Sequence, residues 1–190
     1  ITTGEGGMLL TNNKSIDKIS REYHDHGHEN NSKYNRGNDT KKIYGFNYRM
    51  TEMQGAIGKV QLSKLNWIIR QNRVRFKILS DKLNKKYILR KIPKKSIPNF
   101  DTFILFEKNF KIRRKIINVL KKNGLGTKNL PDAIKWHCSY YWSHAISKQE
   151  VRNSLKTKKI LKSAIAVPIL IKKRASLYSK IAKEIFNIKS

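Results

Sequence analysis

From Thr51 to Leu83 apolar side chains return at helical spacing, through Met53, Ile57 and Val60 and on through Leu65, Ile68 and Ile69. Thr51 followed three positions later by Gln54 has the form of a capping box, because the hydroxyl and the amide can each satisfy a backbone N–H that the first turn leaves unpaired. The pattern predicts one long helix, with room for a kink. Gly55, Ala56 and Gly58 in its first turns weaken an isolated helix, by up to about 1 kcal/mol for each glycine. Another backbone is therefore expected to pack closely on that face.

What flanks the helix differs on its two sides. Before it, Gly4-Glu5-Gly6-Gly7 leads into Met8-Leu9-Leu10-Thr11, which reads as a short buried strand with Asn12-Asn13 as its exit turn. Ser15 can then cap a helix from about Ile16 to Tyr23. Residues His24 to Tyr44 are polar and aperiodic and read as a long loop, the kind that more often carries function than not. After the helix, short apolar runs at Tyr87–Ile92, Phe103–Phe106 and Ile165–Ile171 alternate with amphipathic segments Ile112–Lys122 and Ser176–Ile188. Asn123-Gly124 has the form of a left-handed carboxy-terminal cap. A small α/β domain after a long connecting helix is the economical arrangement.

Bulk properties narrow the class. The 190 residues with 38% hydrophobic content suit a folded globular chain, and no run approaches the roughly 20 apolar residues that span a bilayer. No membrane association is expected, and a cytoplasmic location is. Cys138 is the single cysteine, so no internal disulfide and no cysteine pair at metal-ligand spacing exists. The formal net charge of +29, from 42 Lys and Arg against 13 Asp and Glu, would ordinarily raise polyanions as partners. The cations are mostly Lys, keep company with Asn and Ile, and are scattered along the whole chain. We read that as a compositional bias, and nucleic acid is not an expected partner.

Several groups carry possible chemistry. The glycines at 4, 6 and 7 allow positive φ and close approach to a ligand, which phosphate loops need and tight turns also use. His24, His26 and His28 would share one face of an extended chain and could in principle hold a metal, but we expect none. Asn47 and Arg49 offer an amide donor and a guanidinium, a pair suited to phosphate; the alternative is a turn and an ion pair at a helix start. Lys128, His137 and His144 lie among Trp136, Tyr140, Tyr141 and Trp142, where sugar rings could stack; equally, the tryptophans could be core and the histidines their polar neighbours. Cys138 reads as a packing residue and not as a nucleophile.

Taken in order, Thr2-Thr3-Gly4-Glu5-Gly6-Gly7-Met8, Asp25-His26-Gly27, Gly45-Phe46-Asn47-Tyr48-Arg49-Met50-Thr51-Glu52-Met53-Gln54 and Gln61-Leu62 through Leu65 resemble the DegT/DnrJ/StrS family of sugar aminotransferases. The resemblance is strongest over residues 1 to about 75 and looser beyond Lys85. It implies an α/β fold of the fold-type-I aminotransferase kind, with residues 1–85 closing a large cofactor-binding domain and 86–190 forming a small α/β domain. It implies pyridoxal phosphate as cofactor, a keto-sugar or nucleotide-linked keto-sugar as substrate, glutamate as amino donor, and a homodimer with active sites between subunits, serving cell-surface polysaccharide synthesis.

By the same resemblance the Schiff-base lysine would lie two residues before Ile1. The chain has no initiating Met, so we expect a carboxy-terminal piece that holds no catalytic residue of its own and is inactive alone. Asn47 and Arg49 would reach towards the neighbouring subunit's cofactor phosphate. His26, His28, Tyr48, Lys128, His137 and His144 would contact substrate, and His28 resembles a subset acting on keto-sugar acids, including enzymes that make 8-amino-3,8-dideoxy-manno-octulosonate. Two rival readings stay open: a basic nucleic-acid-binding module, suggested by helices such as Lys111–Lys122, and a truncated, inert remnant with apolar surface exposed around Met8–Leu10 and Met53–Val60.

Overall fold

The computed structural model describes residues 1–35, 38–39 and 42–189, so the 24–44 loop is described except at positions 36, 37, 40 and 41. The chain divides into two compact units, Ile1–Leu65 and Asn66–Ser190.

In the first unit the glycine turn is followed by α1 (Lys14–His24), the polar loop and α2 (Glu52–Ser63). The cap of α1 is Asn13, not Ser15: the Asn13 side chain accepts from the Ser15 and Ile16 amides at 2.9 and 3.2 Å. A short amide held in extended backbone reaches the second and third N–H of the helix as well as a hydroxyl does. At α2 the capping box forms as expected, with Thr51 Oγ1 accepting from Gln54 N and Gln54 Oε1 accepting from Thr51 N. The long helix does not run through. It breaks at Lys64, whose amide donates back to Gln61 and Leu62, and resumes as α3 (Leu65–Leu83).

One packing expectation is corrected here. Met8–Leu10 does not form a strand, because among the described residues no neighbouring strand meets its N–H and C=O groups; the three residues are 59–87% exposed. The backbone expected against the small-residue face of α2 is not supplied by the described residues of this chain. A Cβ at Gly55 would meet nothing within 4 Å, and one at Gly58 only the Thr3 methyl at 3.4 Å. α2 buries no residue, and Met53, Ile57 and Val60 stay exposed.

The second unit has a core. β1 (Ile88–Leu89), β2 (Thr102–Phe106) and β3 (Ala164–Pro168) form an antiparallel sheet in that order, with Ile88 opposite Phe106 and Thr102 opposite Pro168. β2 alternates, so Phe103 and Leu105 are fully buried, while all five residues of β3 are buried. Leu79 and Leu83 of α3, Ile116 and Leu120 of α4 (Phe110–Lys122), and Tyr178, Ile181 and Ile185 of α8 (Ala175–Phe186) fill the rest. The expected amphipathic helices are therefore present, and Gly124 takes the left-handed cap after α4 at φ +67°. The segment between α4 and β3 holds elements the sequence reading did not foresee: α5 (Ile134–His137), a 3₁₀ turn at Ser139–Tyr141, α6 (Lys148–Asn153) and α7 (Leu155–Ser163). Ser147 and Glu150 form a second capping box at the start of α6, a signal of the same form as that at Thr51.

Arg75 of α3 ties the carboxy-terminal loop to this core. It is 7% exposed, and its guanidinium donates to Gln71 O and Oε1, Ile171 O and Lys173 O at 2.7–3.2 Å, all neutral acceptors. Replacing it would strand buried carbonyls, each worth about 1–3 kcal/mol when unsatisfied. Arg75→Leu is expected to lower unfolding stability by about 3 kcal/mol in urea titrations, and Arg75→Lys by nearly as much, because an ammonium lacks the planar fork that reaches three carbonyls.

Candidate functional site

The site is built on two glycines. Gly27, at φ +82°, follows α1 and lies so close to the returning strand of loop that a Cβ there would sit 2.2 Å from Ile43 O. A Cβ at Gly45 would sit 2.4 Å from Gly27 N and 2.6 Å from Tyr23 O. Only hydrogen fits between these backbones. The approach lets Phe46 N donate to Tyr23 O (2.9 Å), His26 N to Phe46 O (3.1 Å), Tyr48 N to His24 O (2.9 Å) and Gly27 N to Glu22 O (2.7 Å). Asp25 and Asn47 form a β-bridge, so the Asp25-His26-Gly27 turn and the Asn47-Tyr48-Arg49 segment become one structure.

Around that frame Arg49 is placed by its Nε edge. Nε donates to Asn47 Oδ1 at 3.1 Å and lies 3.5 Å from Asp25 Oδ1. Asn47 Oδ1 also accepts from the Arg49 amide at 3.3 Å. Among the described residues no acceptor holds the Nη groups, and the side chain is 42% exposed. Arg49 faces a cavity of about 380 Å³ whose other walls include Asp25, His28, Asn30 and Asp39. A second cavity, about 610 Å³, is lined by Gly6, Gly7, Arg21, His24 and Tyr48 among others. The glycine turn beside it is pinned to α2, where Gln54 Nε2 donates to Glu5 O at 3.3 Å.

His28 and Asp39 close the loop end of the first cavity, with Nδ1 and Oδ1 at 3.1 Å; Asp39 Oδ2 also accepts from Asn30 N at 3.2 Å. The hydrogen bond from His28 holds the Asp39 carboxyl below its ordinary value, with the Asn30 amide helping and burial opposing. The extended run of three imidazoles does not form. His24 ends α1 and bonds Arg21 O through Nδ1, His26 turns at φ +55° and is exposed, and only His26 and His28 approach, at 6.4 Å between rings. No group of three potential metal ligands is found among the described residues. Tyr48 is 63% exposed and packs in a loose aromatic trio with Tyr23 and Phe46.

The remaining sequence-selected residues lie in the second unit. Lys128 does not present a free ammonium: Nζ lies 2.5 Å from Asp101 Oδ2. Burial raises the Asp101 carboxyl, but the hydrogen bonds from Lys128 and Thr102 outweigh it and hold the group below its usual range. His137 and His144 are exposed, and the tryptophans are not core: Trp136 is 80% exposed and Trp142, whose Nε1 donates to Trp136 O, 38%. Cys138 is buried, as a packing cysteine. Sequence reasoning passed over Asp25 and Asp39, though an acid inside a loop otherwise rich in Asn, His and Lys was a visible signal.

A mixed α/β chain with a glycine turn, an Asn-Tyr-Arg segment locked to an Asp-His-Gly turn, and a small sheet domain is a portion of the fold of sugar aminotransferases. The match to known proteins agrees. A profile of the DegT/DnrJ/EryC1/StrS aminotransferase family matches residues 1–185, and the chain belongs to that family. It is 42% identical over 66 residues to a GDP-perosamine synthase of Caulobacter vibrioides, covering 35% of this chain and 16% of that protein. To a GDP-perosamine synthase of Escherichia coli O157:H7 it is 36% identical over 73 residues, 38% of this chain and 19% of that protein. A sugar aminotransferase structure from Micromonospora echinospora superposes with a TM-score of 0.73 at 16% identity, covering 97% of this chain and 48% of that one, a likeness of fold. The chain thus spans about half the length of the solved structure it matches and less of the curated relatives. Aminotransferases of this family depend on pyridoxal phosphate.

Two outcomes test this geometry. Gly45→Ala is expected to separate the two backbones and cost about 2–4 kcal/mol locally, read as faster hydrogen exchange at the Phe46 and Tyr48 amides. Because the folded carboxyl of Asp39 titrates below the ordinary aspartate value, its contribution to stability is full above the unfolded pKa. It is lost as pH falls through the lower folded pKa. The acid-limb movement of the Asn30 amide resonance, which follows the Asp39 carboxyl, is expected at higher pH in His28→Ala than in the wild type.

Proposed function

We propose that the chain is the carboxy-terminal part of a pyridoxal-phosphate-dependent aminotransferase that transfers an amino group from an amino acid, glutamate, to a keto-sugar or nucleotide-linked keto-sugar. The observation that carries this reading is the Asn47-Tyr48-Arg49 segment. It lies inside the stretch most similar to the family, and its guanidinium is anchored at one edge and unclaimed at the other. The donor set fits a phosphate ester: two Nη groups and the Asn47 Nδ2 are what a dianionic oxygen cluster accepts from.

The cofactor supplies the electron sink for amino transfer. This chain's residues supply position. Arg49 and Asn47 would hold the phosphate, Tyr48 would cover one wall of the glycine-lined cavity, and His26 and His28 would sit beside the sugar. Lys128, His137 and His144 are weaker candidates for substrate contact; Lys128 would first have to leave Asp101, whereas the exposed Trp136 offers a flat face to a sugar ring. The lysine that binds the cofactor is expected upstream, so the 190 residues by themselves would be inactive. Residues 1–85 would complete the large domain and 86–190 the small one, in a cytoplasmic homodimer that serves polysaccharide synthesis. The two perosamine synthases favour a nucleotide-linked substrate, while His28 keeps a keto-sugar acid as the other candidate.

Reading the coding DNA upstream of Ile1 tests the assignment first. An in-frame Lys two codons before Ile1 is expected; a stop codon or unrelated sequence there would sink it. In a protein that carries that lysine, Arg49→Ala should weaken retention of pyridoxal phosphate by about 10- to 100-fold, the range for losing charge-assisted hydrogen bonds, with little change in thermal stability. Retention equal to wild type would remove Arg49 from the phosphate site.

A further inference from the structure

We propose that Asp25 is a positioning residue for Arg49: its buried carboxylate and the Asn47 amide oxygen together occupy the Nε edge of the guanidinium, so that an anion is met end-on by Nη1 and Nη2. This rests on the reading of Arg49 as an anion-binding residue and adds a residue that the family match and the similar proteins do not assign.

Asp25 is 8% exposed, and its backbone is fixed three times over. Its amide donates to Glu22 O at 3.2 Å, its carbonyl accepts from His28 N at 3.0 Å, and it bridges to Asn47. The side chain therefore has little freedom to seek another partner. Oδ2 has only a long contact from Asn30 Nδ2, at 3.5 Å. Oδ1 is buried without a hydrogen-bond donor, and its ion pair is with Arg49 Nε at 3.5 Å. A carboxylate removed from water and left without a donor is unfavourable unless a cation stands close, so Asp25 draws the guanidinium to itself.

An arginine offers a carboxylate or phosphate two bidentate edges, one through Nε with an Nη and one through the two Nη groups. Asn47 Oδ1 at 3.1 Å and Asp25 Oδ1 at 3.5 Å fill the first edge. Among the described residues no acceptor holds the second edge, and the side chain as a whole is 42% exposed. Asp25 therefore acts through orientation. Its negative charge, taken alone, weakens anion binding, so affinity cannot separate the two effects and the test must read the guanidinium itself.

The experiment uses the complete 190-residue chain labelled with ¹⁵N, with the Arg49 Nε–Hε resonance assigned through its loss in Arg49→Lys. Hydrogen exchange at that group is compared between wild type and Asp25→Asn, and inorganic phosphate is titrated into each. The expected result is exchange about fivefold faster in Asp25→Asn, the upper range for loss of a partly exposed ion pair. The Gly27 and Gly45 amides should be unmoved, and in wild type phosphate should act on the Nη protons more than on Nε–Hε. Unchanged exchange in Asp25→Asn, with a wild type that responds to phosphate, overturns the role of Asp25 and leaves the anion site standing. Phosphate acting mainly at Nε–Hε overturns the end-on geometry. A wild type in which phosphate leaves Arg49 untouched sinks the anion site, and the proposal with it. Should Asp25→Asn unfold the turn, seen as loss of the Gly27 and Gly45 resonances, Asn47→Ala decides: there Asp25 is the sole Nε acceptor, and protection of Nε–Hε must persist or the proposal fails.

Discussion

Everything proposed for the first unit depends on one contact, the approach of the Gly45 backbone to that of Gly27. With 2.2–2.4 Å between an imagined Cβ and the opposing backbone atoms, no other residue fits at either position without a shift of the main chain. The contact lets a helix end and a loop exchange three hydrogen bonds without a sheet around them. It brings Asp25 beside Asn47 and so beside Arg49, residues separated by more than twenty positions of polar chain. A loop of that length would ordinarily leave its ends free to wander, because closing it carries an entropic penalty that few side-chain contacts offset. Backbone bonds between two glycine-permitted surfaces offset it, and the side chains are then placed as a consequence.

Arg75 and Arg49 show how structure separates support from availability. Arg75 gives its guanidinium to Gln71 Oε1 and three backbone carbonyls and keeps nothing in reserve, and its 7% exposure leaves no route for a ligand. Arg49 is held at Nε, has no acceptor on its Nη groups among the described residues, and lines a cavity. Neither difference is visible in the sequence, where Arg49 stands between Tyr48 and Met50 and Arg75 between Val74 and Phe76. Net charge does not distinguish them either. What makes one a brace and the other a candidate anion contact is which donors remain after the fold has been satisfied.

Legibility followed locality. The capping box at Thr51, the amphipathic faces of α4 and α8, the alternation of β2 and the Gly124 cap all depend on residues within a turn or two of one another, and these were readable. The motifs that carry the family resemblance were readable for the same reason. Met8–Leu10 was misread as a buried strand because an apolar pattern reports what residues could pack against, and no element of the described chain meets it or the small-residue face of α2. Lys128 shows the reverse case. Its position among aromatics suggested a substrate contact, but Asp101, far away in sequence and beside it in space, already takes its charge. Asp25 and Asp39 were passed over because a lone acid has no periodicity; their meaning comes from Arg49 and His28 across the loop.

Those acids bear on the chain's charge as well. With 42 basic residues against 13 acidic ones, most cations have no partner to choose, and their field is diffuse. The scarce carboxylates are where placement becomes specific: Asp25 against Arg49 and Asp39 against His28, each carboxylate largely removed from solvent, and Asp101 against Lys128, where both partners are 41% exposed. A uniform excess of lysine would draw any anion weakly to any surface, and salt would screen it. An arginine whose Nε edge is closed by a buried carboxylate would instead offer an anion one direction of approach, which a diffuse field of lysines does not.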